Sequence, residues 1–220
     1  NADDSVMTLG NYNGSPTYVC TPLEAFQKRL SADAPLPEAH RRFAFFHKKK
    51  KATTGPLLYY HKGSSWTEKE SHLPNDFWDQ IAQCDVVLFF GGLTPELEGE
   101  ELQVETEGFS HGDRTRIELP IAQQRLIHEI HHQTGKPIVL GLSSGSAIAL
   151  GGVASEVDAI VSSWYGGQEI GNAIYDALMG HADAFGRLPV TFYRQTSQLP
   201  DYEDYSMVGR TYRYLDCQKA

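Results

Sequence analysis

The chain has 220 residues, 40% of them hydrophobic, and a formal net charge of −9. This length and apolar content predict one well-buried domain, residues 1–220, rather than two. The negative charge disfavours a nucleic-acid-binding protein, which needs a basic face, and the sequence has neither an apolar stretch long enough to span a membrane nor the pattern of a signal peptide.

The first 83 residues predict short helices and one strand. Residues 1–15 are rich in Asn, Asp and Gly, which is typical of turns. The run Thr21-Pro22-Leu23-Glu24 matches a capping box with proline at the first helical position, so a short helix starts at Pro22 and continues to Leu30. Three further segments have weaker patterns: residues 43–46 predict a short strand or a buried anchor, residues 57–60 a strand, and residues 76–83 a helix.

Residues 85–101, with the sequence DVVLFFGGLTPELEGEE, are the most informative stretch. The apolar run 86–90 predicts a strand that is buried on both faces of a parallel sheet, and it ends at Gly91-Gly92. Ligands of open α/β sheets bind beyond the carboxyl ends of strands. Crowded carboxylates raise one another's pKa and favour one protonated member. The loop is therefore either a proton-donor site or a solvated acidic loop; its glutamates are Glu96, Glu98, Glu100 and Glu101.

The second half of the chain alternates strands and helices, which predicts a doubly wound, mostly parallel α/β sheet. The polar segment 104–116 is too long for a simple connection, and loops of this length are usually functional or mobile. The predicted helices are residues 120–134, ended by Gly135, then 144–150 and 168–179; the predicted strands are residues 137–142, 157–163 and 190–192.

The helix at 120–134 contains a literal HExxH motif, from His128 to His132. Two histidines one helical turn apart hold zinc in this motif, and the glutamate activates water. The buried stripe of the helix leaves both histidines on its flank, and the sequence offers no evident third ligand. We therefore expect no metal here, and the three cysteines, which lack a CxxC pair, predict no metal site either.

A literal G-x-S-x-G motif follows the strand 137–142 and places Ser143 at the nucleophile position of a serine hydrolase. The helix predicted after this motif is shorter than the helix that normally follows a nucleophile elbow. His181 is the only downstream histidine that could act as the base, and Asp158 or Asp176 would have to orient it. A serine hydrolase that uses Ser143 is kept as an alternative enzyme hypothesis.

Nine segments in a fixed order carry a resemblance to a known family. They are NADD (1–4), LGNYNG (9–14), TPLE (21–24), GGLTPELEGEE (91–101), TGKP (134–137), SSWYGGQE (162–169), GNAI (171–174), GRLPVTF (186–192) and YSMVGRTYRY (205–214). Together they resemble the carboxy-terminal α/β-sandwich domain of glycoside hydrolase family 3, in its β-glucosidase and β-xylosidase branch. The resemblance spans nearly the whole chain and implies a flavodoxin-like α/β sandwich.

The resemblance implies half of the active site of a retaining, exo-acting β-glycosidase. In this family a barrel domain of the same enzyme supplies the aspartate nucleophile, and the sandwich domain supplies the general acid/base glutamate from the acidic loop. Retaining glycosidases need two carboxyl groups about 5 to 5.5 Å apart, and this chain would contribute one. Glu98 and Glu100 are the candidate catalytic residues, because both lie where family members place the acid, and we lean slightly to Glu98 because Gly99 follows it; Glu96 and Glu101 flank them.

The same resemblance predicts the partners of the chain. These partners are a glycoside or oligosaccharide substrate and the barrel domain. We expect no cofactor, no nucleic acid and no membrane as partners. The resemblance also favours a periplasmic or secreted location. In the family a buried strand precedes the turn matched by Asn1-Ala2, so we expect a fragment that lacks its first strand. The resemblance is weakest over residues 34–55, and Trp164 and Tyr165 are expected to pack against the sheet. A non-catalytic carbohydrate-binding module is the non-enzymatic alternative.

Overall fold

A computed structural model of the chain describes residues 1–30, 56–68, 73–99, 102–183 and 185–216. These residues contain helices and strands in mixed order. The helices are α1 (Pro22–Leu30), α2 (Phe77–Gln83), α3 (Pro95–Glu98), α4 (Ile121–Thr134) and α5 (Ile170–Leu178); the strands are β1 (Val87–Gly92), β2 (Phe109–Ser110), β3 (Asp113–Arg114), β4 (Ile138–Ser143) and β5 (Ala159–Ser162). Short 3-10 helices lie at Gly151–Ser155, Thr196–Gln198 and Tyr212–Tyr214.

The central sheet is parallel and has the strand order β1-β4-β5. Val87 lies opposite Ile138, and the pairing continues in register to Gly92 and Ser143. Because all three strands run the same way, the segments that follow Gly92, Ser143 and Ser162 leave the sheet at one edge. The predicted parallel α/β architecture is confirmed, and this carboxyl edge collects three loops from distant parts of the sequence.

Helices cover both faces of the sheet. Successive side chains of a strand point to opposite faces, so an uninterrupted apolar run can supply two cores. Phe89, Leu140 and Leu142 pack on one face with buried residues of α2 and α4. Leu88 and Phe90 pack on the other face with residues of α1 and α5. The apolar run predicted as a strand therefore contributes to both cores of a three-layer sandwich, although β1 lies at one side of the described sheet and β4 is its middle strand.

Two predicted helix ends are also observed. At the start of α1, the Thr21 N–H donates to the Glu24 carboxylate at 2.9 Å and the Glu24 N–H donates to the Thr21 hydroxyl at 3.3 Å, which is the reciprocal pair of a capping box. At the end of α4, Gly135 has φ +60° and its N–H donates to the His131 carbonyl at 3.0 Å. Both ends depend on local contacts, which is why the sequence predicts them.

Several predicted elements are wrong. Residues 57–60 form no strand, and Leu57 is 69% exposed, because the described sheet offers this segment no strand partner. Residues 190–192 form no strand either, and Val190 is 57% exposed. Residues 144–150 are not helical, because side chains and a bridge between Glu118 and Ala149 engage their backbone. The segment 104–116, predicted as a loop, contains the hairpin of β2 and β3. The prediction for residues 43–46 lies outside the described residues.

Across the segments that the structure describes, no helix combines the length and the apolar character that crossing a bilayer requires.

Candidate active site at the carboxyl edge of the sheet

Three loops meet at the carboxyl edge of the sheet, and the carboxylate of Glu98 lies where they meet. The loop after β1 carries Glu98 at the end of α3, the loop after β4 carries Gly145 and Ser146, and the loop after β5 carries Tyr165. The part of the acidic loop that the structure describes, up to Gly99, is therefore held against both neighbouring loops at Glu98.

The turn that leads β1 into the acidic loop depends on glycine. Gly92 has φ +112°, and a Cβ atom there would lie 2.1 Å from the carbonyl oxygen of Ser143. At Gly91 a Cβ atom would lie 2.3 Å from Oε1 of Gln123. A side chain at either position would thus collide with a neighbour, so the close approach of β1 to β4 and α4 requires both glycines.

Gln123 completes this turn from the fully buried face of α4. Its Oε1 accepts a hydrogen bond from the Gly92 N–H at 2.8 Å, and its Nε2 donates to the carbonyl oxygens of Gly92 at 2.9 Å and Trp66 at 2.7 Å. Backbone groups at the end of a strand would otherwise be buried without partners, which costs free energy. The buried amide thus fixes where the acidic loop begins.

Three donors from this chain hold the Glu98 carboxylate. The Gly145 N–H donates to Oε2 at 2.7 Å, the Tyr165 hydroxyl donates to the same oxygen, and the Ser146 hydroxyl donates to Oε1. Glu98 is half-buried. Both of its oxygens therefore accept hydrogen bonds from neighbouring loops of the same domain.

Arg114 extends the network from the β2–β3 hairpin. Its Nη1 donates to the Ser146 hydroxyl oxygen and to the Ala147 carbonyl oxygen, both at 2.7 Å. Burial lowers the pKa of Arg114, while the negative charges of Glu98 and Glu118 oppose this shift. Arginine stays protonated in proteins. A positive charge is thus held beside the hydroxyl that bonds to Glu98.

Tyr165 acts in this network as a neutral donor. The pKa of the Tyr165 phenol is raised. The largest cause is burial, and the hydrogen bond to Glu98 and the negative charge of Glu98 add to it. The preceding residue, Trp164, has φ +54°, a backbone conformation uncommon for residues with side chains. The Ser143 hydroxyl donates to the Trp164 carbonyl at 2.9 Å and helps to fix this bend.

The hydrogen bond between Tyr165 and Glu98 can be tested by a double-mutant cycle. We expect Tyr165→Phe and Glu98→Ala to be non-additive, with a coupling of about 0.5–3 kcal/mol in the free energy of unfolding, because each substitution removes one partner of the same contact. Urea denaturation of the single and double variants measures this coupling. The matched control is Tyr202→Phe, whose ring is 90% exposed, combined with Glu98→Ala. Additivity of the Tyr165 and Glu98 variants would contradict the contact.

Of the two candidate catalytic residues, the structure describes Glu98 but not Glu100. Glu98 lies in the network, and Glu96 is exposed. Glu100 and Glu101 lie outside the described residues, so the catalytic assignment of Glu98 and Glu100 stays a prediction. Sequence reasoning missed Arg114 and Ser146 as partners of this loop. No local signal could have found them, because they approach Glu98 only through the folded chain.

The serine hydrolase alternative is not favoured by the surroundings of Ser143. This side chain is only 3% exposed, and its hydroxyl is engaged by the Trp164 carbonyl and by the sulfur of Met7. The proposed base, His181, has its Nδ1 3.4 Å from the Asp176 carboxylate and 3.3 Å from the Arg29 guanidinium. The G-x-S-x-G segment therefore acts as a structural turn, and its Gly145 supplies a backbone donor to Glu98.

The parallel sheet with helices on both faces places the chain among α/β-sandwich domains, whose ligands bind beyond the carboxyl ends of the strands. The family model of the glycosyl hydrolase family 3 C-terminal domain matches residues 1–216, and the chain belongs to this family. The resemblance seen in the sequence is thereby confirmed.

Curated relatives carry glycosidase names. The chain is 51% identical over 144 residues to a xylan 1,4-beta-xylosidase of Xylanibacter ruminicola, an alignment that covers 64% of the chain and 17% of that protein. It is 40% identical over 110 residues to the periplasmic beta-glucosidase of Salmonella typhimurium, covering 49% of the chain and 14% of that protein. The chain thus matches less than a fifth of the length of either relative.

Solved structures share the fold. A family 3 beta-glucosidase of Bifidobacterium adolescentis superposes with a TM-score of 0.65 at 22% identity, covering 96% of the chain and 28% of that structure. An exo-beta-xylosidase of the same family, in complex with a xylobiose aziridine activity-based probe, superposes with a TM-score of 0.62 at 23% identity, covering 87% of the chain and 20% of that structure. At these identities the similarity supports the α/β-sandwich fold alone.

Proposed function

We propose that this chain is the carboxy-terminal domain of a retaining, exo-acting β-glycosidase of the β-xylosidase or β-glucosidase type. Its acidic loop would supply the general acid/base, and a barrel domain of the same enzyme would supply the nucleophilic aspartate. The observation that carries the proposal is the Glu98 network, which holds the acidic loop at the edge of the sheet where ligands of such folds bind.

Within this proposal, Glu98 and Glu100 have different roles. A general acid must present a protonated oxygen to the leaving group and then act as a base toward water. Both oxygens of Glu98 already accept hydrogen bonds from Gly145, Ser146 and Tyr165, which suits an anchor better than a proton donor. We therefore assign Glu98 to positioning of the loop and Glu100, two residues further along, to proton transfer. This reverses the slight preference for Glu98 drawn from the sequence.

The proposed chemistry proceeds in two steps. The barrel aspartate attacks the anomeric carbon while Glu100 protonates the departing glycosidic oxygen, which leaves a covalent glycosyl-enzyme. Glu100, now ionised, takes a proton from water as the water oxygen attacks the anomeric carbon and releases the aspartate. Through this cycle Glu98 keeps the loop in place, and Arg114 supports Ser146.

A periplasmic or secreted location is part of the proposal, supported by the name of the Salmonella relative.

The proposal as a whole is tested by comparing the 220-residue chain with the enzyme that includes its barrel domain. We expect the full-length enzyme to hydrolyse aryl β-xylosides or β-glucosides and to release the β-anomer first, because two successive displacements retain configuration. The chain alone should hydrolyse them at no more than the background rate, since the proposal assigns the nucleophile to the barrel domain. Proton NMR of the initial product and a chromogenic rate assay measure both.

Three results would count against the proposal. Release of the α-anomer would contradict a retaining mechanism, and turnover by purified chain alone would contradict the division of the site. Binding of xylose-type or glucose-type sugars by the full-length protein without any turnover would indicate the non-catalytic carbohydrate-binding module instead.

A further inference from the structure

The HExxH motif of α4 has a third donor that the sequence did not reveal. In the fold, the carboxylate of Glu156 approaches both histidines: its Oε1 lies 2.7 Å from Nδ1 of His128 and 3.8 Å from Nε2 of His132. The two imidazole rings are also close, with centroids 4.1 Å apart. One ligand atom from each of the three residues falls within 4.8 Å of the other two.

Two elements of regular structure hold these donors. His128 and His132 are one turn apart on α4, so they lie on the same face of the helix. Glu156 follows the 3-10 helix Gly151–Ser155, and its N–H donates to the Val153 carbonyl at 2.9 Å. Two residues later, the Asp158 carboxylate accepts the Ile138 N–H at 2.9 Å and fixes the approach to β5. Neither side of the site depends on a free loop.

The exposure of the three side chains suits capture of an ion from solution. The histidine side chains are each 59% exposed, which leaves an entry path, whereas the Glu156 side chain is 17% exposed. A metal ion must reach its ligands, and a part-buried carboxylate held by its backbone loses little freedom when it binds. The group therefore combines accessible nitrogens with one positioned oxygen.

Two imidazoles and one carboxylate form a donor set that suits zinc and neighbouring transition metals. With donor bonds of about 2.0–2.1 Å, a tetrahedral zinc ion needs its ligand atoms roughly 3.3 Å apart. The Glu156 oxygen lies 2.7 and 3.8 Å from the two histidine nitrogens, which brackets this value, and all three ligand atoms lie within 4.8 Å of one another. Side-chain rotations would bring them into range, and the ion would replace the hydrogen bond between His128 and Glu156. We propose that His128, His132 and Glu156 form a Zn²⁺ site that links α4 to the segment before β5.

The site lies at the edge of the sheet opposite the acidic loop. α4 leads into the start of β4, and Glu156 comes three residues before the start of β5, so the metal would lie near the amino ends of these strands. Glu98, in contrast, contacts the loops beyond their carboxyl ends. The metal would therefore stabilise the fold and leave the glycosidase chemistry unchanged, and the HExxH segment is not proposed as a protease site.

The test is calorimetric titration of Zn²⁺ into the full chain after treatment with a chelator, with the melting temperature measured in parallel. We expect one ion per chain and a melting temperature that rises with Zn²⁺ concentration, because an ion that binds the folded state stabilises it. His132→Ala and Glu156→Gln should each weaken binding at least about tenfold, since even groups that only orient metal ligands contribute about 10–100-fold to affinity.

The matched control is His131→Ala, which removes a histidine of α4 that is outside the metal group, although its ring packs edge-on against the ring of His132. This variant keeps all three donors, so it should retain Zn²⁺ binding and lose less affinity than either ligand variant. Circular dichroism of each variant without metal verifies that the helix content is unchanged. The proposal is overturned if the chain binds no Zn²⁺ at about 100-fold excess over protein, or if binding survives both ligand substitutions. Equal weakening by His131→Ala would overturn it as well.

Discussion

Glu100→Ala in the full-length enzyme is expected to lower the rate on a natural disaccharide by about 10²–10⁴-fold, the contribution typical of a general acid. On an activated aryl glycoside the loss should be much smaller in the first step, because a good leaving group departs without a proton. Azide should then restore turnover of the activated substrate, since it attacks the glycosyl-enzyme without needing a general base. Initial rates on both substrates, with and without azide, measure these effects.

Glu98→Gln serves as the matched comparison, because it changes a glutamate of the same loop that we assign to positioning. We expect it to lower the rates on both substrates by similar factors, without rescue by azide, and to lower the free energy of unfolding. If Glu98→Gln shows the dependence on leaving group and Glu100→Ala does not, the two roles are exchanged. If neither variant shows it, the acid/base lies outside this loop.

Gly92→Ala is expected to destabilise the domain through two separate effects that add. A non-glycine residue in the left-handed region costs about 1–2 kcal/mol, and overpacking against a neighbour adds about 1–3 kcal/mol. At Gly92 both costs apply, because the new methyl group would meet the Ser143 carbonyl oxygen at 2.1 Å. The free energy of unfolding in urea is the measurement.

Gly108→Ala separates the two contributions. Gly108 also has a positive φ, +90°, but a Cβ atom there would meet nothing within 4 Å. We expect this variant to show only the cost of backbone conformation, so that Gly92→Ala exceeds it by about 1–3 kcal/mol. Equal destabilisation by the two substitutions would show that the close approach of β1 and β4 is unimportant for stability.

Local patterns in the sequence predict the elements that depend on local contacts. The capping box at Thr21 and Glu24, the helix end at Gly135 and the apolar strand before Gly91 all appear in the structure. The first two signals involve only a few neighbouring residues. The third is the apolar composition of one segment, whose side chains pack on both faces of the sheet.

The sequence was a poor guide wherever distant side chains determine the backbone. The segment 144–150 has an apolar, helix-like composition, yet Gly145 donates its N–H to Glu98 and Ser146 lies between Glu98 and Arg114. The apolar residues 57–60 lack, among the described residues, the strand partner that their β propensity requires. Glu156 escaped notice as a third donor because β4 and a 3-10 helix separate it from His132 in the chain.

The anchoring of Glu98 has a consequence for how the domain folds. Its three hydrogen bonds join residues 47, 48 and 67 positions apart in the chain. Contacts between such distant residues form only after long loops have closed, and closing loops slows folding. We therefore expect Glu98 to reach its final position late, once β4 has paired with both β1 and β5. If the proposed function holds, partly folded full-length enzyme would lack a positioned Glu98, so the rate of glycoside hydrolysis during refolding would report the last step of assembly.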